Sequence, residues 1–109
     1  MTEPSDHPGR VFAALGDPTR VQIIDWLNEG GPGTATEFAA RLPISRQAVT
    51  RHLKDLESAG LIAGSKRGRE VRYELRPQAL TLSATWLQQR ANRWEQTLQR
   101  LANHLAEER

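Results

Sequence analysis

Residues 43–62 read PISRQAVTRHLKDLESAGLI. Apolar Val49, Leu53 and Leu56 recur one or two helical turns apart, so a helix here has one inward face. Gln47, Thr50, Arg51 and Lys54 cluster on the opposite side, and Arg46 lies in the exposed first turn. A solvated surface helix has this composition, and so does a helix lying in a groove of DNA. The flanking sequence decides between them.

Immediately before this helix, Pro43 disfavours helical geometry at Leu42 and makes 42–44 a tight turn. Ser45 stands at the capping position, and Ile44 and Val49 are spaced as a hydrophobic staple that fixes the angle of entry. Gly60 supplies a left-handed stop after Ala59. Further back, Thr34 and Glu37 have the spacing of a capping box, which predicts a short helix over about 35–41 with Phe38 and Leu42 facing inward. Two short helices joined by a tight turn, the second capped and stapled, form a helix-turn-helix.

Two more helices precede the pair. GRVFAAL (9–15) puts Val11, Phe12 and Leu15 on one side, and Gly16 ends it. Asp17 and Pro18 then start a helix, with Asp17 as cap and Pro18 where its missing N–H costs nothing. It should run to about Asn28 and bury Val21, Ile24 and Leu27 before EGGPG (29–33) breaks the chain.

After Gly60 the period changes to two. Leu61–Ser65 reads as a strand, KRGRE (66–70) as a glycine-bearing turn, and Val71, Tyr73 and Leu75 alternate with charged residues on a return strand to Arg76. This is a hairpin with a basic tip. Pro77 opens the final segment, where Leu80, Ala84, Leu87, Ala91, Trp94, Leu98, Leu101 and Leu105 recur at steps of 4, 3, 4, 3, 4, 3 and 4. A helix over 78–106 is ~42 Å long at ~1.5 Å per residue. A domain of this size cannot cover such a stripe alone. We therefore expect a dimer interface built from Val11, Phe12 and Leu15 of the first helix and Leu87, Ala91, Trp94, Leu98, Leu101 and Leu105 of the last.

The whole chain sets outer bounds. Its 109 residues suit one domain with a modest core, and we expect a loose tail over 1–9 and a single domain over 10–109. With no cysteine there are no disulfides and no thiolate metal sites. No apolar run approaches the ~18–20 residues of a membrane span, and the polar N-terminus is no signal peptide, so no membrane role and a cytoplasmic location are expected. The net charge is only +2, yet residues 41–76 carry nine Lys or Arg against four Asp or Glu, while the remainder is net negative. Positive charge is gathered where one face would meet a polyanion.

The side chains opposite the apolar face suit base edges. Arg46 and Arg51 can donate paired hydrogen bonds to guanine, Gln47 can pair with adenine, and Thr50 offers both a hydroxyl and a methyl. Lys54, farther along, suits phosphate, and Ser45 with the helix N-terminus offers donors nearby. Thr36, on the helix before the turn, joins this set. Lys66, Arg67 and Arg69 at the hairpin tip are placed for a minor groove or flanking phosphates, although a charged sheet edge that discourages aggregation looks the same. Arg72 and Arg76 are left out, because Glu70 and Glu74 are near enough to pair with them. His52, at the edge of the apolar face, reads as a half-buried structural residue, and Trp26, Trp86 and Trp94 as core or interface residues.

Taken together, FAALGDPTRVQIIDWL (12–27), TATEFAARLPISRQAVTRHLKDLESAGLI (34–62) and GREVRYEL (68–75) resemble the ArsR-type winged-helix transcriptional regulators, over about residues 10–106. The resemblance implies a mainly α fold with a small β-hairpin wing at 61–76, a helix-turn-helix at 34–59 with its recognition helix at 45–59, and a homodimer joined through the first and last helices. Many such regulators sense metals. The stretch TEFAARL lacks the cysteines of one family site. His104 and Glu107 echo half of another, whose first half would fall on Ala91 and Arg93, which cannot be ligands. No metal and no cofactor are therefore expected.

The function expected is a homodimeric, sequence-specific regulator of double-stranded DNA, a repressor by resemblance, reading a pseudo-palindromic operator. The alternative is a winged-helix module that meets an acidic protein partner. No enzyme is expected, since there is no glycine-rich phosphate loop after a strand and no histidine with an evident carboxylate partner. A small-molecule effector entering between the long helices near Trp86 or Trp94 is one route to regulation.

Overall fold

The computed structural model describes residues 8–108, so most of the expected tail over 1–9 lies outside the described residues. Pro8 and Gly9 belong to the first helix, α1 (Pro8–Leu15), instead. The chain continues through α2 (Pro18–Gly30), β1 (Gly33–Thr34), α3 (Ala35–Ala39), α4 (Arg46–Ser58), β2 (Ile62–Arg67), β3 (Glu70–Leu75) and α5 (Pro77–Glu107).

Local chemistry sets the helix ends. The Asp17 carboxylate accepts from the Thr19 and Arg20 backbone N–H groups at 2.8 and 3.4 Å, and Pro18 occupies the first turn of α2. Thr34 and Glu37 close a reciprocal capping box on α3, at 3.2 and 2.9 Å. The Ser45 hydroxyl accepts from the Ala48 N–H at 3.1 Å and caps α4. At the far end of α4, Gly60 has φ +79°, and the Leu61 N–H closes back on the Leu56 carbonyl at 3.1 Å. The left-handed turn redirects the chain from helix to strand.

The core lies between α1, α2, α3, α4, the base of the sheet and the start of α5. Val49, Leu53 and Leu56 are fully buried, each stabilising the fold by about 1.5–3 kcal/mol and together fixing which face of α4 looks outward. Ile44 packs at the margin of the same cluster. On α2 the buried residues are Ile23, Ile24 and Leu27, whereas Val21, expected inside, is exposed. Val21 lies about 115° round the helix from the centre of that face, at about 100° per residue, beyond the reach of the core. The helix α3 ends at Ala39, not Arg41, and Leu42 is only partly buried.

The sheet has three strands in the order β1-β3-β2, all antiparallel. The first strand was not expected: Gly33 and Thr34, inside and beside the glycine-rich break, pair with Tyr73 and Arg72. The hairpin is longer and tighter than the sequence predicts. Arg67 pairs with Glu70, so only Gly68 and Arg69 make the turn, and Lys66 and Arg67 belong to β2. Gly68 has φ +64° and no other residue type takes positive φ among the described residues, as in a two-residue turn with glycine first. Tyr73 is buried and Leu75 partly so, but Val71 is exposed, because the ribbon projects past the core and only its base is covered.

The helix α5 begins at Pro77 and turns Ala79 and Ser83 into the core. It packs on α1, where the Phe12 and Trp86 rings meet edge to face at 5.7 Å. Beyond this contact Leu87, Trp94, Leu98, Leu101 and Leu105 form a stripe that none of the described residues covers, with exposures of 45–62%. Phe12 retains surface beside it, while Leu15 is partly buried and Val11 is fully buried in its own core. Val11 therefore has no surface to offer a partner.

Candidate nucleic-acid interface

Because three apolar side chains anchor α4, its other face is held outward. Arg46, Gln47, Arg51 and Lys54 are exposed, and Thr50 is half-buried among them. The start of α3, the first turns of α4 and the wing enclose a groove of about 150 Å³ lined in part by Thr36, Arg46, Thr50, Arg69 and Tyr73. Four residues singled out from the sequence thus converge from three elements. Gln47, Arg51 and Lys54 continue along α4 outside this groove, and Lys66 and Arg67 lie on β2 short of the turn.

Among the described residues, no carboxylate lies within 4.0 Å of Arg46, Arg51, Lys54, Lys66, Arg67 or Arg69. Arg72 contrasts with them. Its guanidinium approaches Glu37 at 3.7 Å and Glu70 at 3.9 Å, and donates to the Pro32 carbonyl at 3.5 Å. The expected partner Glu70 is joined by Glu37, and the wing is tied to α3. No ion pair forms between Arg76 and Glu74.

Two hydroxyls at the site are partly committed. Ser45 accepts a hydrogen bond as cap and keeps its own proton for another acceptor. Thr50 does the reverse, donating to the Arg46 carbonyl at 3.0 Å. His52 is half-buried, as read from the sequence, and its Nδ1 is buried without a hydrogen-bond partner among the described residues.

Two ties that set the pose of α4 escaped sequence reading. Arg20 of α2 donates to the Asp55 carboxylate at 2.7 Å. At the last turn of α4, the Glu57 carboxylate accepts from the Gly64 N–H of β2 at 3.0 Å, fastening the wing to the helix. Gly64 lies against Tyr73 and Val71, where a Cβ would come within 2.9 Å of both side chains. Burial pushes the Tyr73 phenol above its ordinary value, with the Glu57 charge adding to the effect. Neither tie has a sequence signature, since each joins residues whose proximity only the fold creates.

Two of the tryptophans pack within the fold. Trp26 stacks on Phe38 with the ring centroids 6.1 Å apart, and Arg41 covers its ring at 3.9 Å. Trp86 lies between Phe12 and Arg90. Trp94 remains exposed on the α5 stripe. Among the described residues no three His, Cys, Asp or Glu side chains stand close enough to hold a metal ion. His104 pairs with Glu108 at 2.9 Å, not with Glu107.

Comparison with known proteins converges on this geometry. A family model described as "Helix-turn-helix domain" matches residues 15–64. The transcriptional repressor SdpR of Bacillus subtilis (strain 168) is 36% identical over 77 residues, which cover 71% of this chain and 84% of SdpR. A solved ArsR-like transcriptional regulator from Rhodococcus sp. RHA1 superposes with a TM-score of 0.77 at 37% identity, covering 86% of this chain and 88% of that one. The chain belongs to the ArsR family of winged helix-turn-helix transcriptional regulators. This is a family of regulators and not of enzymes. A homodimeric winged helix-turn-helix DNA-binding domain from Mycobacterium bovis, a possible ArsR-family regulator solved by NMR, matches with a TM-score of 0.61 at 26% identity over 77% of each chain. No helix among the described residues is long and apolar enough to cross a membrane.

Proposed function

We propose that this ArsR-family chain is a homodimeric repressor that reads a pseudo-palindromic site in double-stranded DNA through the outward face of α4. The observation that carries the reading is the convergence of Thr36, Arg46, Thr50 and Arg69 on one groove, with cations that no carboxylate of the described residues meets within 4.0 Å. In this reading Arg46, Gln47, Thr50 and Arg51 face base edges. Lys54, Ser45 and Thr36 meet phosphates, and Lys66, Arg67 and Arg69 of the wing reach the flanking backbone or minor groove. A protein partner with an acidic patch would be met by cations alone and would leave Gln47 and Thr50 without a role.

The dimer rests on the uncovered α5 stripe. Leu87, Ala91, Trp94, Leu98, Leu101 and Leu105 of two chains would pack together, joined by Phe12 and the surface that Leu15 retains. Val11, buried in its own core, is left out. Homodimerism in the M. bovis neighbour supports a dimer, and the activity named for SdpR supports repression. Two-fold symmetry then makes the site a pseudo-palindrome, with half-sites about one helical turn apart.

Fluorescence anisotropy on the DNA upstream of the gene tests the reading. We expect binding that weakens steeply with salt, as counterions released by phosphate contacts require. Retention by an acidic protein without salt-dependent DNA binding would favour the protein-interaction alternative.

A further inference from the structure

Thr50 is half-buried on the flank of the outward face of α4 and lines the groove shared with Arg46 and Arg69. Threonine brings two groups to such a position, a hydroxyl and a methyl. In this chain the hydroxyl is already engaged. It donates to the Arg46 carbonyl at 3.0 Å, so its proton is used within the helix and its oxygen is drawn back along the preceding turn. The hydroxyl has no proton left to donate and keeps only acceptor capacity, while the other branch of the side chain, the γ-methyl, is wholly free for a ligand in the groove.

In the major groove the C5-methyl of thymine is the apolar group a base presents, and a threonine methyl is one of the side-chain groups that meets it. The neighbours fit that division of labour, with Gln47 and Arg51 providing polar hydrogen-bonding groups on the same helix face. We propose that Thr50 is a methyl reader, selecting thymine at one position of each half-site by contact between its γ-methyl and the thymine methyl. The hydroxyl serves the helix and not the base. This rests on the reading of α4 as the helix that enters DNA, and it adds a base and an atom to that reading.

The experiment begins with selection of duplexes from a random library by the full chain. Each thymine of the enriched half-site is then replaced in turn by deoxyuridine, which lacks only the methyl. For the wild type we expect one position where the replacement weakens binding about fourfold, the worth of one buried methyl. Thr50→Val, which keeps the methyl and loses the hydroxyl, should keep the penalty. Thr50→Ser, which keeps the hydroxyl and loses the methyl, should bind both duplexes equally. Each comparison is a ratio within one protein, so a change in folded fraction cancels. The proposal is overturned if no thymine carries the penalty, if Thr50→Ser retains it, or if Thr50→Val abolishes it. A library that yields no enriched sequence overturns the DNA reading itself, a separate and recognisable result.

Discussion

Arg20 on α2 and Asp55 on α4 meet at 2.7 Å across 35 residues of sequence. The pair is lopsided: the Arg20 side chain retains 17% exposure and its Nε is buried without a partner among the described residues, while the Asp55 side chain is 56% exposed. Solvent screening at Asp55 limits what the attraction is worth, but removing Asp55 leaves a mostly buried guanidinium without its acceptor. Asp55→Ala should therefore lower stability by about 1 kcal/mol, measured by urea unfolding. Because the tie also orients α4, DNA affinity should fall with it. Unchanged stability and affinity would show that packing alone sets the pose of the helix.

The α5 stripe makes a prediction about assembly. Leu98→Glu and Leu101→Glu place charges where two apolar helices are expected to meet. Sedimentation equilibrium should show a dimer for the wild type and a monomer for either variant, and the wild-type Tm should rise with protein concentration. A wild-type monomer at micromolar concentration would contradict the proposed seam.

Two glycines are held by packing. A Cβ at Gly33 would fall 2.6 Å from Cζ of Phe38, a buried ring stacked on Trp26, and one at Gly64 would meet Tyr73 and Val71. Gly33→Ala and Gly64→Ala should each destabilise the fold by about 1–3 kcal/mol, the usual cost of overpacking. The Gly33 variant should be the worse of the two, since the Val71 neighbour of Gly64 is exposed and free to move aside. Chemical denaturation of the two variants measures the difference.

Acid should act through Asp17. Desolvation pushes its carboxyl up, but the Thr19 and Arg20 N–H bonds, with the charges of His52 and Arg20, outweigh it and hold the group below its ordinary 3.8. A lowered pKa in the folded state means that this stabilisation is fully present above pH 3.8 and is lost as pH falls through the lower folded value. Asp17→Asn, which keeps an acceptor without the titration, should flatten the dependence of Tm on pH in that acid window. An identical acid limb in the variant would assign it to other carboxyls.

Local chemistry made much of this fold legible. The caps at Asp17, Thr34 and Ser45 and the stop at Gly60 each depend on residues within a few positions, and all four form. The inward face of α4 was equally clear, because Val49, Leu53 and Leu56 repeat at helical spacing. What sequence could not show is settled by distant partners. The strand at Gly33–Thr34 is too short for any period and exists through its pairing with β3. Val21 looked like a core residue until the phase set by Ile23, Ile24 and Leu27 turned it outward. At the site, residue types on α4 indicated an outward polar face, but the groove shared with Thr36 and Arg69 needed three elements in place. The commitment of the Thr50 hydroxyl to Arg46 is a rotamer choice that residue identity leaves open.

The most direct test of a dimer that reads DNA through α4 is selection from a random duplex library, run in parallel on the wild type and on a Gln47→Ala, Arg51→Ala double variant. The account predicts that the wild type enriches an inverted repeat with half-sites about one helical turn apart. It also predicts that the double variant, still folded and dimeric, binds with relaxed preference at the positions those side chains face. Failure of the wild type to enrich any inverted repeat, or recovery of the same sequence with the same selectivity by the double variant, would contradict it.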